Sequence, residues 1–314
     1  MKAIWESNTP YSKFLISVGF ILISAVLFTF ISTIGATLIY GISMVEMQNL
    51  LANPTSPLAI SVLKFVQLVS STGTFLLPPF ILALLFSSHP TKYLSLDVKP
   101  EKYSFLLVAI LMIVATPMIN FLGEINSYMH LPGFLKGVED WMRESEDKAA
   151  QLTEAFLKMK TTGDFVFNLI MIGLLPAIGE ELVFRGVVQK IFHQWSRNIH
   201  VAIWTTAFVF SAMHMQFYGF LPRMVLGGML GYMLAWSGSL WLPIFAHFVN
   251  NAGAVVFMYL FQQGMTSIDP DKIGTESELP VIAFSLLLSA LCFLMLYKRR
   301  RLISQEEETV EMNN

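Results

Sequence analysis

The chain of 314 residues has little charge and almost no cysteine. Asp, Glu, Lys and Arg together make up 13% of it, about half the roughly 25% of an ordinary soluble domain. A water-soluble globule of this size would need more polar residues to cover its surface. The net charge is −2 and the pI about 6.3, so there is no basic excess and no nucleic-acid partner is expected. A single cysteine, Cys292, excludes an intramolecular disulfide framework and a cysteine-based structural zinc site. No H-E-x-x-H occurs anywhere, and no internal repeat of solenoid length is visible. What the chain does have is apolar: 54% hydrophobic residues, 26 Phe and 18 Met, with a mean hydropathy of +0.60. The composition is that of a polytopic membrane protein, and its informative residues are the few polar ones inside the apolar runs.

A spanning helix needs roughly 20 mostly apolar residues. Phe14–Val45 contains no charged residue and is too long for the apolar part of a signal peptide, so it predicts a first helix, tilted or running past the membrane. Further spans are predicted over Phe65–Phe86, interrupted at Pro78-Pro79, over Tyr103–Leu122, and over Phe165–Phe192, which carries Glu180, Glu181 and Arg185. The fifth is Ile199–Phe217. The charge-free run Met224–Ile268 is split by Ser237-Gly238-Ser239 into a short sixth helix and a seventh, Leu240–Phe261. Pro280–Tyr297 is the eighth. The expected fold is an all-α polytopic membrane protein of about eight transmembrane helices in one integral-membrane domain, residues 1–314, with its motif-bearing core at 165–261.

Eight spans put both termini on one side. That side collects Lys2, Lys13, Lys92, Lys99, Lys102, Lys190, Arg197 and Lys298-Arg299-Arg300-Arg301, whereas the other collects Lys136, Arg143, Lys148, Lys158, Lys160 and Lys272. The bias places both termini in the cytoplasm. Between the third and fourth spans the polar loop 123–164 contains Gly133–Lys160, where apolar residues alternate with charges. This is the pattern of an amphipathic interfacial segment or of a solvated loop helix with its own packing face. The acidic tail, 302–314, is expected to be disordered. Its final residues, Glu-Met-Asn-Asn, are not a C-a-a-X box.

Ionisable groups in hydrocarbon are costly and usually mark function. Here they fall in three clusters: Glu180, Glu181 and Arg185; Phe210 and His214; His247, Asn250 and Asn251. Glu181 and Arg185 are four apart and share a helix face, which suits an ion pair. Glu180 is turned by about 100° and is directed elsewhere. His247 and Asn251 also share a face, whereas Asn250 points away from it. Each cluster alone could be a packing device: a buried ion pair, a hydrogen-bonded histidine with Phe210 beside it, an interhelical clamp. Together, a carboxylate beside a histidine can deprotonate water, and a second histidine with an amide can stabilise an oxyanion. Such a set makes a water-activating hydrolase site.

The motifs E-E-x-x-x-R, F-x-x-x-H and H-x-x-x-N, in this order on successive apolar segments, resemble the CPBP family. That family comprises type II CAAX prenyl endopeptidases and related bacterial membrane proteases and immunity proteins. The resemblance covers about Phe165–Phe261. It implies that Glu180 activates water with His214, that His247 and Asn251 form the oxyanion site, and that Glu181, Arg185 and Phe210 support them. It implies an intramembrane endopeptidase acting on a peptide or lipidated-protein substrate in the lipid bilayer, with a bacterial inner membrane as the expected location, working through glutamate without a required metal or other cofactor. Glu180, His214 and His247 form the alternative ligand set for zinc. A non-proteolytic binding or immunity protein on the same fold and a proton-coupled transporter are the competing readings.

Overall fold

The computed structural model describes residues 3–52, 56–268, 273–274 and 279–312, with side chains for all of these except 51–52 and 301–312. Lys2, Lys272 and the last two residues, which entered the charge and C-terminal arguments, lie outside the described residues. The helices are α1 (Pro10–Tyr40), α2 (Met44–Ala52), α3 (Pro57–Phe75), α4 (Leu77–Phe86), α5 (Pro90–Tyr93), α6 (Lys102–Ser127), α7 (Lys136–Leu157), α8 (Thr162–Asn168), α9 (Leu175–Glu181), α10 (Gln189–Ser196), α11 (Ile199–Met213), α12 (Phe220–Ser237), α13 (Trp241–Gln262) and α14 (Leu279–Met312). There is no strand among the described residues.

Among the described residues six helical stretches are long and apolar enough to cross a membrane: Pro10–Tyr40, Pro57–Phe86, Lys102–Ser127, Thr162–Ser196, Trp241–Gln262 and Leu279–Arg300. The 15-residue α11 and the 18-residue α12 occupy the remaining two of the eight predicted places. The chain is an all-α polytopic membrane protein.

Local chemistry sets the ends. The first helix does not run on to Val45. Gly41 takes φ 65°, which a side chain disfavours, and its N–H closes on the Thr37 carbonyl. Two prolines without N–H groups, Pro78 and Pro79, lie in the first turn of α4, and the helix breaks between Phe75 and Leu77. The acidic tail, expected to lack order, continues as the end of α14 as far as Met312. Gln305 and the glutamates after it are good helix formers, and a helix that is already nucleated propagates readily.

The bundle has two ends of different character. At one, Trp5 N–H donates to the Leu85 carbonyl at 2.9 Å, Trp241 Nε1–H to Leu96 O at 2.9 Å, and Lys190 bonds Ser95 Oγ at 2.9 Å. This end gathers the basic residues of α10 and of the α4–α6 connection. At the other end lies α7. It is fastened at its start by Glu139, which accepts from Arg143 at 3.1 Å and pairs with His130 at 2.8 Å. His130 and Arg143 hold the Glu139 carboxyl down at about 2. Farther along, Glu146 Oε2 accepts from Tyr218 N–H at 3.3 Å, Arg143 stacks over the Tyr218 ring at 4.7 Å, and Trp141 meets Phe217 at 5.7 Å. The amphipathic segment is therefore a helix strapped across the loop that follows α11.

At roughly 1.5 Å per residue α11 is about 22 Å long, shorter than a hydrocarbon core of roughly 30 Å. A helix of that length is too short to cross on its own, and its last turn is capped by His214.

Candidate active site

The fourth span is not a uniform α-helix. Two π segments, Leu169–Leu174 and Leu182–Val188, flank α9. Such wide turns recur at functional sites. Pro176 sits four residues after Ile172 and has no N–H to give the Ile172 carbonyl. Gly179 lets α3 come close, since a Cβ there would lie 2.7 Å from Phe75 Cβ. At Gly186 it would meet Leu94 at 3.0 Å.

Glu181 and Arg185 have fully buried side chains, and Arg185 Nη1 donates to Glu181 Oε1 at 2.6 Å. Arg185 Nη2 donates to the Gly227 carbonyl at 2.8 Å, and Gln189 Nε2 to the Gly231 carbonyl at 3.2 Å. Glu181, Arg185 and Gln189 thus form a buried column at four-residue spacing, matched by two carbonyls four residues apart on α12. Glycine at 231 makes the approach possible, because a Cβ there would stand 2.8 Å from Gln189 Oε1. Gln189 was not among the residues predicted from sequence; its signal is the continued spacing after Arg185.

His247, on α13, joins the column to Glu180. Its Nδ1 lies 2.9 Å from Glu181 Oε1, and an ionised carboxylate only accepts, so Nδ1–H is the donor. Its Nε2 stands 3.8 Å from Glu180 Oε2. Glu181 is thereby committed to both Arg185 and His247. Glu180 keeps 15% of its side chain exposed, against none for Glu181, and is the carboxylate left open.

His214 Nδ1 is 2.8 Å from the Phe210 carbonyl. A carbonyl cannot donate, so this nitrogen carries a proton, and in the neutral ring Nε2 keeps its lone pair. The ionisable groups that act on His214 are Glu180, Arg223 and His247. The Phe210 ring stands between the two histidines, with its centre 4.9 Å from the His214 ring and 6.1 Å from that of His247. The same ring lies 5.0 Å from Phe184 and carries the Arg185 guanidinium at 4.8 Å.

Asn251 Nδ2 donates to Ile172 O at 3.2 Å, the carbonyl that Pro176 cannot serve. Asn250 does not point away. Its Nδ2 donates to Asn251 Oδ1 at 3.0 Å, because two short amides on adjacent positions can bend toward one another. This contact and the Ile172 carbonyl orient the Asn251 amide and leave its second N–H uncommitted. Spacing arguments treat neighbouring positions as diverging and so overlook the contact.

Arg223 is a further residue missed by sequence reasoning. It lies one position before the charge-free run that begins at Met224, inside the first turn of α12. Its guanidinium packs on Gly219, donates to Gln216 O at 3.0 Å and bonds Gln216 Oε1. It interacts electrostatically with Glu180 and Glu146. As placed, the alternative zinc set does not fit a metal: among the described residues no three His, Cys, Asp or Glu side chains gather closely enough to hold one.

Comparison with known proteins bears on the same stretch. Residues 162–253 match the family model described as type II CAAX prenyl endopeptidase Rce1-like. An uncharacterized protein of Bacillus subtilis (strain 168), YpbD, is 33% identical over 89 residues, which is 27% of this chain and 42% of that protein. The match therefore spans less than half the length of this relative. No solved structure matches. The column, the open glutamate, both histidines and the paired asparagines all fall within residues 162–253, the stretch over which this multi-pass membrane protein is similar to the Rce1-like family model.

Proposed function

We propose that the protein is an intramembrane endopeptidase that hydrolyses a peptide bond in a membrane-associated substrate. The observation that carries this reading is the unequal use of two adjacent carboxylates. Glu181 is spent on Arg185 and His247, whereas Glu180 faces His247 Nε2 at 3.8 Å and remains partly exposed. Water held between Glu180 and His214 Nε2 loses a proton to this pair as its oxygen attacks the substrate carbonyl. The oxyanion that forms is met by the uncommitted N–H of Asn251 and by Nε2–H of His247 when that ring is doubly protonated. The proton taken from water passes to the leaving amine as the C–N bond breaks. Glu181 holds His247 through Nδ1, which fixes the nitrogen that faces the substrate.

The test is a comparison of protein N-termini in membranes containing wild-type protein and the Glu180→Ala variant. New N-termini should appear with the wild type and be lost with the variant at equal protein level. Identical sets would overturn the peptidase reading. Proton-coupled uptake into proteoliposomes, abolished by the same variant, would replace it with transport.

A further inference from the structure

The turn that carries His214 is fastened on both sides. After Met213, the last residue of α11, His214 N–H and Met215 N–H close on the Ser211 and Ala212 carbonyls at 3.3 and 3.1 Å. Met215 then takes φ 53°, the left-handed conformation that a residue with a side chain disfavours. Its side chain is 49% exposed and offers little packing to offset that cost. The next residue, Gln216, is gripped twice by Arg223: Nη1 donates to its backbone carbonyl at 3.0 Å and Nη2 to its side-chain oxygen. A guanidinium presents its donors in a rigid plane, so two bonds to one residue fix position and direction together. Gly219 leaves the room for it, since a Cβ there would stand 2.6 Å from Arg223 Nη1. On the other side Ser211 Oγ–H donates to the Phe220 carbonyl at 2.7 Å. In the chain, His214 lies between Ser211 and Gln216.

We propose that Arg223 is a positioning residue: through Gln216 it holds Met215 in the left-handed turn, and so fixes where the His214 ring stands against Glu180. It touches no reacting atom. Arg223 also interacts electrostatically with Glu180 and His214, and a charge effect alone is the rival role. The grip is favoured because both hydrogen bonds of the guanidinium end on Gln216 and neither on a carboxylate. The catalytic consequence rests on the peptidase reading above; the hold on the turn does not.

Two variants of the full chain separate these roles. Arg223→Gln removes both grip and charge. Gly219→Ala keeps the charge and pushes the guanidinium aside, while φ −103° at that position suits alanine. Each is made alone and together with Met215→Gly, because glycine takes the left-handed turn without a clamp. Amide hydrogen exchange over residues 213–219 is read in detergent, together with kcat and KM on a peptide carrying a junction found by the comparison of N-termini. Both variants should raise exchange and lower kcat by about tenfold, the population shift that one left-handed residue corresponds to, with KM little changed. Met215→Gly should restore most of both losses, whereas Met213→Gly, on the last helical residue, should restore neither. Unchanged exchange overturns the proposal, as does failure of Met215→Gly to restore it or equal restoration by Met213→Gly. A loss confined to Arg223→Gln replaces the grip with a charge effect and overturns it too. If exchange rises and is restored as expected while even the wild type leaves the peptide intact, the grip stands and the peptidase reading falls.

Discussion

The first and fourth spans are both long helices, yet they meet different surroundings. In Pro10–Tyr40 only 11% of the most apolar stretch is buried within the protein; in Thr162–Ser196 the share is 44%. The first span turns Val26, Phe30 and Leu38 outward, each more than half exposed, toward what is lipid in a membrane. The fourth encloses every residue from Leu182 to Val188. The first is also the more hydrophobic, with a hydropathy of 2.7 against 1.7. Apolarity therefore marks the helix that faces lipid, and a moderate apolarity interrupted by charge marks the one that the rest of the protein surrounds.

Substitutions sharpen this contrast. The largest effect is expected at the two glutamates. Glu180→Gln should lower turnover by about 10²–10⁴, the typical worth of a general base, with folded protein still recovered from membranes. Arg185→Ala should instead reduce the folded fraction, because breaking a buried pair typically costs about 3–5 kcal/mol; thermal unfolding in detergent measures it. Equal loss of activity at equal yield would erase the division between the two carboxylates. Next comes Asn251→Ala, expected to lower kcat by about 10²–10³ with little change in KM, as for loss of an oxyanion donor. Asn250→Ala removes a single orienting hydrogen bond and should lower kcat about fivefold. The smallest effects concern packing. Gly179→Ala drives a methyl into Phe75 and should destabilise by about 1–3 kcal/mol, whereas Val26→Ala on the open face of the first span should stay within about 0.5 kcal/mol. If those two shifts in melting temperature were the same, the difference in burial would carry no energetic meaning.

Hydropathy locates the apolar segments because it reads solvation, which a single sequence carries in full. The Glu181–Arg185 contact is also legible, since four residues separate its members on any helix. The π segments are not legible, because they answer to Pro176 and to groups on α13 and α12 that sequence does not place. Arg223 was hidden by a boundary: a charge at the edge of an apolar run reads as a loop residue until the helix is seen to begin at Phe220. His214 belongs to a fifth span in the sequence reading, but the helix ends one residue before it. That ending is what frees its ring from the helix surface. Asn250 was set aside on a rule for ideal helices that does not reach short side chains bending along the axis.

Phe210 has a consequence for how the motifs respond to change. One ring touches Arg185 and Phe184 from the first motif, His214 from its own and His247 from the third. Segments separated by more than 20 residues of chain thus share a single spacer, and none can shift without its neighbours. Their substitution energies should not add. A double variant joining Phe210→Leu to a change at Arg185 should lose less than the sum of the two single losses, because the second substitution finds its partner already displaced. The three short patterns are packed as one unit, and the thickness of a benzene ring is the gauge to which it is cut.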